Sequence, residues 1–127
     1  MIVGIHTIIV QTTDMDRSVG FYRDVLKLKS EYASPYWSSF DLGSARLGVH
    51  PVFEDNSAPS IIPFKNAIVG VEAEDIGVLR AALEAAGDFV HGEYHDTPGG
   101  VVLNFLDPDG NNWQAIQPGK KAKDLSS

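Results

Sequence analysis

Apolar positions along the chain fall into two successive sets that repeat the same order of periods. Ile2 to Gln11 is β-branched for most of its length (Ile2, Val3, Ile5, Thr7, Ile8, Ile9, Val10), which predicts a first strand largely buried on both faces. Thr12 and Thr13 close it. Asp14 can cap the free amides of a helix and Asp16 suits its positive end. Val19, Tyr22, Val25 and Leu26 then recur at helical spacing, and the helix should stop near Lys27 to Lys29. Three short strands are predicted over 29–33, 37–42 and 45–50, separated by Pro35 and by a Gly43-Ser44 turn. The first set is therefore β-α-β-β-β, over about residues 1–50.

Residues 51–64 break the pattern. Pro51, Pro59 and Pro63 flank the polar run Glu54-Asp55-Asn56-Ser57, which predicts a connector without regular structure. The order then returns over about 65–118: a β-branched run from Asn66 to Glu72, then Asp75 as cap of a second helix. Ile76, Leu79, Leu83 and Ala86 form its stripe, and Gly87 stands where a left-handed cap belongs. Strands over 89–94 and 101–106 join through Thr97-Pro98-Gly99-Gly100, and Asp107-Pro108-Asp109-Gly110 turns into a last strand over 113–117. Residues 119–127, with Lys120, Lys121 and Lys123, read as a solvated tail. A lone module of this kind leaves one sheet face bare. Two modules paired edge to edge, or with a second chain, would enclose a ligand cleft. The expected fold class is α+β: one domain over 1–118, two β-α-β-β-β modules forming curved mixed sheets around a cleft.

Composition narrows the chemistry. The 127 residues suit one domain, and 43% hydrophobic with 21% charged residues is ordinary for a soluble protein. No cysteine is present, which removes disulfides, thiolate chemistry and cysteine-built zinc sites. A formal charge of −7 argues against nucleic acid or an anionic membrane as partner. No run of ~18 apolar residues predicts a membrane span, and the apolar N-terminus lacks the basic leader and cleavage site of a signal peptide. Cytoplasmic residence is the expectation. No glycine-rich phosphate loop or serine nucleophile elbow is present.

Two segments carry a resemblance. The run from Asp14 through Phe21-Tyr22-Arg23-Asp24-Val25-Leu26 resembles the first-helix signature of the vicinal oxygen chelate superfamily. That superfamily includes glyoxalase I, bleomycin- and fosfomycin-resistance proteins and extradiol dioxygenases. Asp107-Pro108-Asp109-Gly110-Asn111, followed by Trp113-Gln114, resembles its signature before the last strand. The resemblance covers about residues 1–118 and implies paired β-α-β-β-β modules, a ligand cleft and often a homodimer. In metal-dependent members it implies a histidine on each module's first strand and a glutamate on its last, ligands that suit zinc, nickel, manganese or iron.

Those positions can be counted from the landmarks. Seven residues before Asp14 is Thr7, with His6 as neighbour on the opposite face of a regular strand. Seven before Asp75 is Ile68, and four after Gly110 is Gln114. In the first module the matching last-strand position is Leu47 or Gly48, with His50 just beyond. The family's metal is therefore not expected, nor is the glutamate base of glyoxalase-type proton abstraction.

The remaining candidates line a pocket. Trp37 could stack on a planar ligand; Phe40 has opposite parity and should point away. Gln114 could hydrogen-bond a ligand carbonyl, and Thr7 would share the inward face. His50, at the end of a strand, is the foremost catalytic candidate, and His6 and His50 are the residual candidates for a metal. His91, Glu93 and His95 alternate, but the outer pair would stand roughly 13 Å apart on a straight strand, too far for one metal. A polar, solvent-facing edge is the favoured account of that strand. The expected function is binding of a small, aromatic or cationic molecule without the family metal. The alternative is a metal-dependent glyoxalase-like lyase, isomerase or dioxygenase, using His50 and a partner subunit.

Overall fold

The structure, a computed structural model, describes residues 1, 3–52 and 67–125. From residue 53 onward the connector expected at 51–64 lies outside the described residues. The chain divides into two compact units, Met1–Ser60 and Ile61–Ser127.

The first unit contains β1 (Thr7–Thr12), α1 (Met15–Gly20), β2 (Lys29–Tyr32), β3 (Ser38–Asp41) and β4 (Arg46–Pro51). They form an open four-stranded sheet in the order β1-β4-β3-β2. β1 runs parallel to β4, whereas β2–β3 and β3–β4 are antiparallel. β1 starts later than its composition suggests, because a strand needs a partner. Its ladder begins where Thr7 meets Arg46, the first residue of β4. Pro51, assigned to the connector from sequence, is instead the last residue of that parallel pairing, opposite Thr12.

Asp14 caps α1 as expected, accepting from Arg17 N at 3.1 Å. The helix then widens into a π-turn over Phe21–Val25, closed by Leu26 N to Phe21 O at 3.1 Å. The buried helical residues are Ser18, Phe21 and Tyr22, so the stripe begins one residue earlier than the Val19-based pattern. The chain leaves the helix through Lys27, a non-glycine residue at φ 59°. Leu28 N closes the end on Tyr22 O at 3.0 Å. Tyr22 packs 5.8 Å from Phe40, ring to ring, and Phe21 meets Tyr22 edge-on at 5.2 Å. Val10, Phe40, Leu47 and Val49 complete this core.

The second unit repeats the order with β5 (Val69–Glu72), α2 (Ile76–Ala86), β6 (Val90–Thr97), β7 (Gly100–Leu106) and β8 (Asn112–Gln117). Its sheet is β5-β8-β7-β6, with β5 parallel to β8. Both units thus have the mixed β-α-β-β-β topology expected from sequence, and the fold is α+β. Asp75 caps α2 by accepting from Gly77 N and Val78 N. Gln117 Oε1 accepts from Ile76 N at 2.8 Å, tying the helix start to the last strand. Gly87 ends α2, but at φ 157° and ψ −153° it lies outside the left-handed helical region expected of the cap.

Ile76, Leu83, Val101, Leu103, Phe105, Trp113 and Ala115 form the second core. Phe105 and Trp113 stack at 6.1 Å and 13°. The turn before β8 is held by Asp107, which is buried and accepts from Asp109 N and Asn111 N on Oδ1 and from Asn111 Nδ2 on Oδ2. A buried carboxylate with three donors explains why this turn needs its opening aspartate. β6 is an edge strand with an irregularity: His91 pairs with Asn104 and His95 with Val102, and Gly92 lies between them at φ 80°. The straight alternation expected of His91, Glu93 and His95 is interrupted there, and all three are exposed. In the tail, a 3-10 turn at Ala122–Asp124 bonds to β6, with Ala122 N donating to Asp96 Oδ1 at 2.8 Å. Among the described residues no helix is long and apolar enough to cross a membrane.

Candidate functional site

Each sheet has one face against its helix and one opposite it, and strand parity sorts the residues. In the first unit Val10, Phe40, Leu47 and Val49 point to the helix. Register then puts Thr7, Arg46 and Asp41 in one row on the opposite face, Ile9, Gly48 and Ser39 in the next, and Gln11 beside His50. Trp37 precedes Ser39 by two residues and so lies on this face, while Phe40 is fully buried on the other.

Trp37 is held by a local turn. Ser34 Oγ donates to Trp37 O at 3.0 Å and accepts from Trp37 N at 3.1 Å, and Ser34 N donates to Trp37 O at 3.1 Å. The outer end of the indole sits over Gly48. A Cβ at position 48 would fall 2.6 Å from Trp37 Cζ2 and closer still to Cη2, so only glycine allows this seat. His50 meets the indole edge-on at 6.4 Å and 64°. Its Nδ1 contacts Pro51 O, and since a carbonyl can only accept, Nδ1 carries the proton. On the same face Arg46 Nε bonds Glu31 Oε1 at 3.0 Å, with both side chains partly solvated.

Thr7 and His6 are distinguished here. Thr7 stands on the face of Gly48, in the Arg46 row. His6 precedes the strand, is exposed, and contacts Thr7 Oγ1 through Nδ1 at 2.6 Å.

In the second unit the face opposite α2 carries the row Gly70, Gln114, Asn104 and His91, one residue from each strand. Val102 and Ile116 pair in the row to one side, and Leu106 pairs with Asn112 on the other. Gln114 Nε2 donates to Asn104 Oδ1 at 3.0 Å, and the pair is half-buried. Sequence reasoning singled out Gln114 and passed over Asn104. The signal was there: Asn104 is the lone polar residue in Val101–Leu106.

The helix caps align the units. Ile9 stands five residues before Asp14 and pairs with Gly48; Gly70 stands five before Asp75 and pairs with Gln114. Gly48 is therefore the counterpart of Gln114, and Leu47, which faces the helix, is eliminated. Thr7, Gly48, Ile68 and Gln114 offer at most a neutral hydroxyl and a neutral amide, and the indole of Trp37 covers Gly48. Among the described residues no three His, Cys, Asp or Glu side chains group to hold a metal ion. These residues do not fit the metal of the family's metal-dependent members.

Two units with one parallel pairing each, two aspartate-capped helices and the Asp107 turn define a protein of paired β-α-β-β-β modules. The chain belongs to the Glyoxalase/Bleomycin resistance protein/Dioxygenase superfamily, whose family model matches residues 4–115. Solved structures share the fold. A lactoylglutathione lyase from Agrobacterium tumefaciens is 23% identical, with 90% of this chain and 92% of that one covered and a TM-score of 0.70. An antibiotic binding protein from Streptomyces sp. CB03234 is 22% identical, with 93% and 98% covered and a TM-score of 0.73. A glyoxalase-related enzyme from Fulvimarina pelagi is 16% identical, with 91% and 88% covered and a TM-score of 0.74. Comparison with curated protein sequences gave no match.

Proposed function

We propose that this protein binds a small, flat organic molecule without a metal ion and does not use the family's metal-assisted chemistry. The observation that carries the reading is the seat of Trp37 on Gly48. At the position where a metal-dependent relative would keep a glutamate, this chain has no side chain and lays an indole over the gap. An indole plane is a stacking surface for a planar ring, and a cation is favoured over its face. The formal charge of −7 also favours a cationic guest. His50 edges the platform and Thr7 shares its face. Gln114 supplies hydrogen bonds on the other sheet. The likeness to an antibiotic binding protein is in keeping with a holding role, though at 22% identity it speaks for the fold alone. The reading includes one domain over 1–118, a homodimer and cytoplasmic residence.

The two tryptophans make the test direct, because Trp113 is buried in the second core and Trp37 is half-buried on the first sheet. In a Trp113→Phe variant, Trp37 is the sole indole. Proflavine, a planar aromatic cation, should quench it saturably, and Trp37→Leu in the wild-type background should abolish binding. Fluorescence that stays unquenched, or binding that survives Trp37→Leu, refutes the platform. Light scattering should give a dimer at micromolar concentration.

A further inference from the structure

We propose that the Gln114–Asn104 pair is a recognition site for a cis-amide edge, the N–H and C=O presented side by side by a lactam, a cyclic imide or a primary carboxamide. The inference deepens the reading above, since it assumes that the faces opposite the helices receive the ligand.

The argument starts from the capacity of the two groups. A carboxamide has two N–H donors and an oxygen with two lone pairs. The bond from Gln114 Nε2 to Asn104 Oδ1 uses one N–H and one lone pair at 3.0 Å. The same two atoms keep a second N–H and a second lone pair, so a donor and an acceptor stand next to each other. Exchanging O and N in both amides reverses the roles and leaves the same adjacent pair, so the complementarity does not depend on which way the amides are turned. A cis-amide edge, which is also one donor beside one acceptor, bonds to both.

The surroundings admit a flat group. Gly70, the β5 partner of Gln114, has no heavy atom within 4 Å of where a Cβ would be, so space is open beside the amide. Ile116 and Leu106, both partly exposed, border the pair in the adjacent rows and offer apolar contact to a ring. A glutamate at position 114 would serve a metal; the glutamine supplies an N–H that a carboxylate lacks. The bland account is that the pair only fastens β7 to β8, as polar cross-strand pairs do.

The test uses 2-pyridone, a planar lactam, and N-methyl-2-pyridone, which lacks the N–H. Side-chain amide resonances of Gln114 and Asn104 in the full-length protein are followed by 1H–15N NMR. Expected are saturable shifts of both side chains with 2-pyridone in the millimolar range, affinity at least tenfold weaker for the N-methyl probe, and a tenfold or greater loss in Gln114→Leu and in Asn104→Leu. Retention of the wild-type near-ultraviolet signal of Trp113 shows that those variants fold. Equal shifts with the two probes, no shifts at all, or unchanged binding in either leucine variant would overturn the proposal and leave the bland account. That failure is distinct from failure of the binding function, which is read at Trp37 with proflavine and needs no amide.

Discussion

The two modules are built on one plan, and one pair of equivalent positions, Gly48 and Gln114, shows how they diverge. Both lie in the middle of the last strand, on the face opposite the helix, beside the strand that feeds the helix. In the first module the position is empty of side chain and an indole fills it; in the second an amide fills it and bonds sideways to Asn104. The scaffold is set by what lies on the other face, where Phe40, Leu47 and Val49 in one module and Leu103, Phe105, Trp113 and Ala115 in the other are nearly fully buried. The lesson is that the helix-facing side carries the large apolar core, while this pair on the opposite side differs in chemistry without changing the topology.

That comparison predicts its largest effect at the two tryptophans. Trp113→Ala removes a buried ring stacked on Phe105 and should cost about 3–5 kcal/mol of unfolding free energy. Trp37→Ala, at a half-buried platform, should cost about 1 kcal/mol. Denaturant melts giving equal losses would mean that the two faces do not differ as described. A second contrast lies between glycines. Gly48→Ala drives a methyl into the Trp37 ring and should cost about 1–3 kcal/mol. Gly70→Ala enters open space and should stay within about 0.5 kcal/mol. The Gly48 cost should shrink in a Trp37→Ala background, and a double-mutant cycle with no coupling would show that the indole is not the obstacle.

Helix ends give smaller differences. Asp75 accepts two backbone bonds and Asp14 one. Asp75→Ala should therefore lose about 1 kcal/mol, and Asp14→Ala somewhat less, in the same melts. Lys27 holds a left-handed conformation that penalises a side chain. Lys27→Gly should be neutral or gain up to about 1 kcal/mol; a clear loss would show that the lysine side chain supports the helix end.

The smallest effect concerns Arg23 and Asp24, whose bidentate pair lies exposed on the first helix. The hydrogen bond from Arg23 holds the Asp24 carboxyl below its ordinary range. A carboxylate depressed in the folded state favours folding above its unfolded titration range and loses that contribution as pH falls through the folded value. Arg23→Ala should raise the Asp24 pKa in an NMR titration. Since both side chains are largely in water, it should leave the unfolding midpoint unmoved.

Much of the scaffold was legible because its signals are local. Asp14 and Asp75 announce helices by cap chemistry, and Asp107 announces its turn by the donors it collects. Elements that depend on a partner were less so. The β1 boundary follows the start of β4, not the apolar run that begins at Ile2. The π-turn at Phe21–Val25 changes which helical residues are buried, and no spacing rule signals it. The irregularity in β6 breaks an alternation that looks regular on paper. At the candidate site, parity separated Trp37 from Phe40 correctly. The choice between Leu47 and Gly48 needed the register, and the seat of the indole on Gly48 needed side-chain coordinates. Asn104 became notable only as the cross-strand neighbour of Gln114.

The central proposal is that Thr7, Gly48, Ile68 and Gln114, which stand where the resemblance places metal ligands, belong to a metal-free site. Calorimetric titration of the EDTA-dialysed, full-length protein with zinc, nickel and manganese tests it most directly. The account predicts no saturable binding of any of the three at micromolar concentration. One ion bound per chain, or per pair of chains, with that affinity would contradict it.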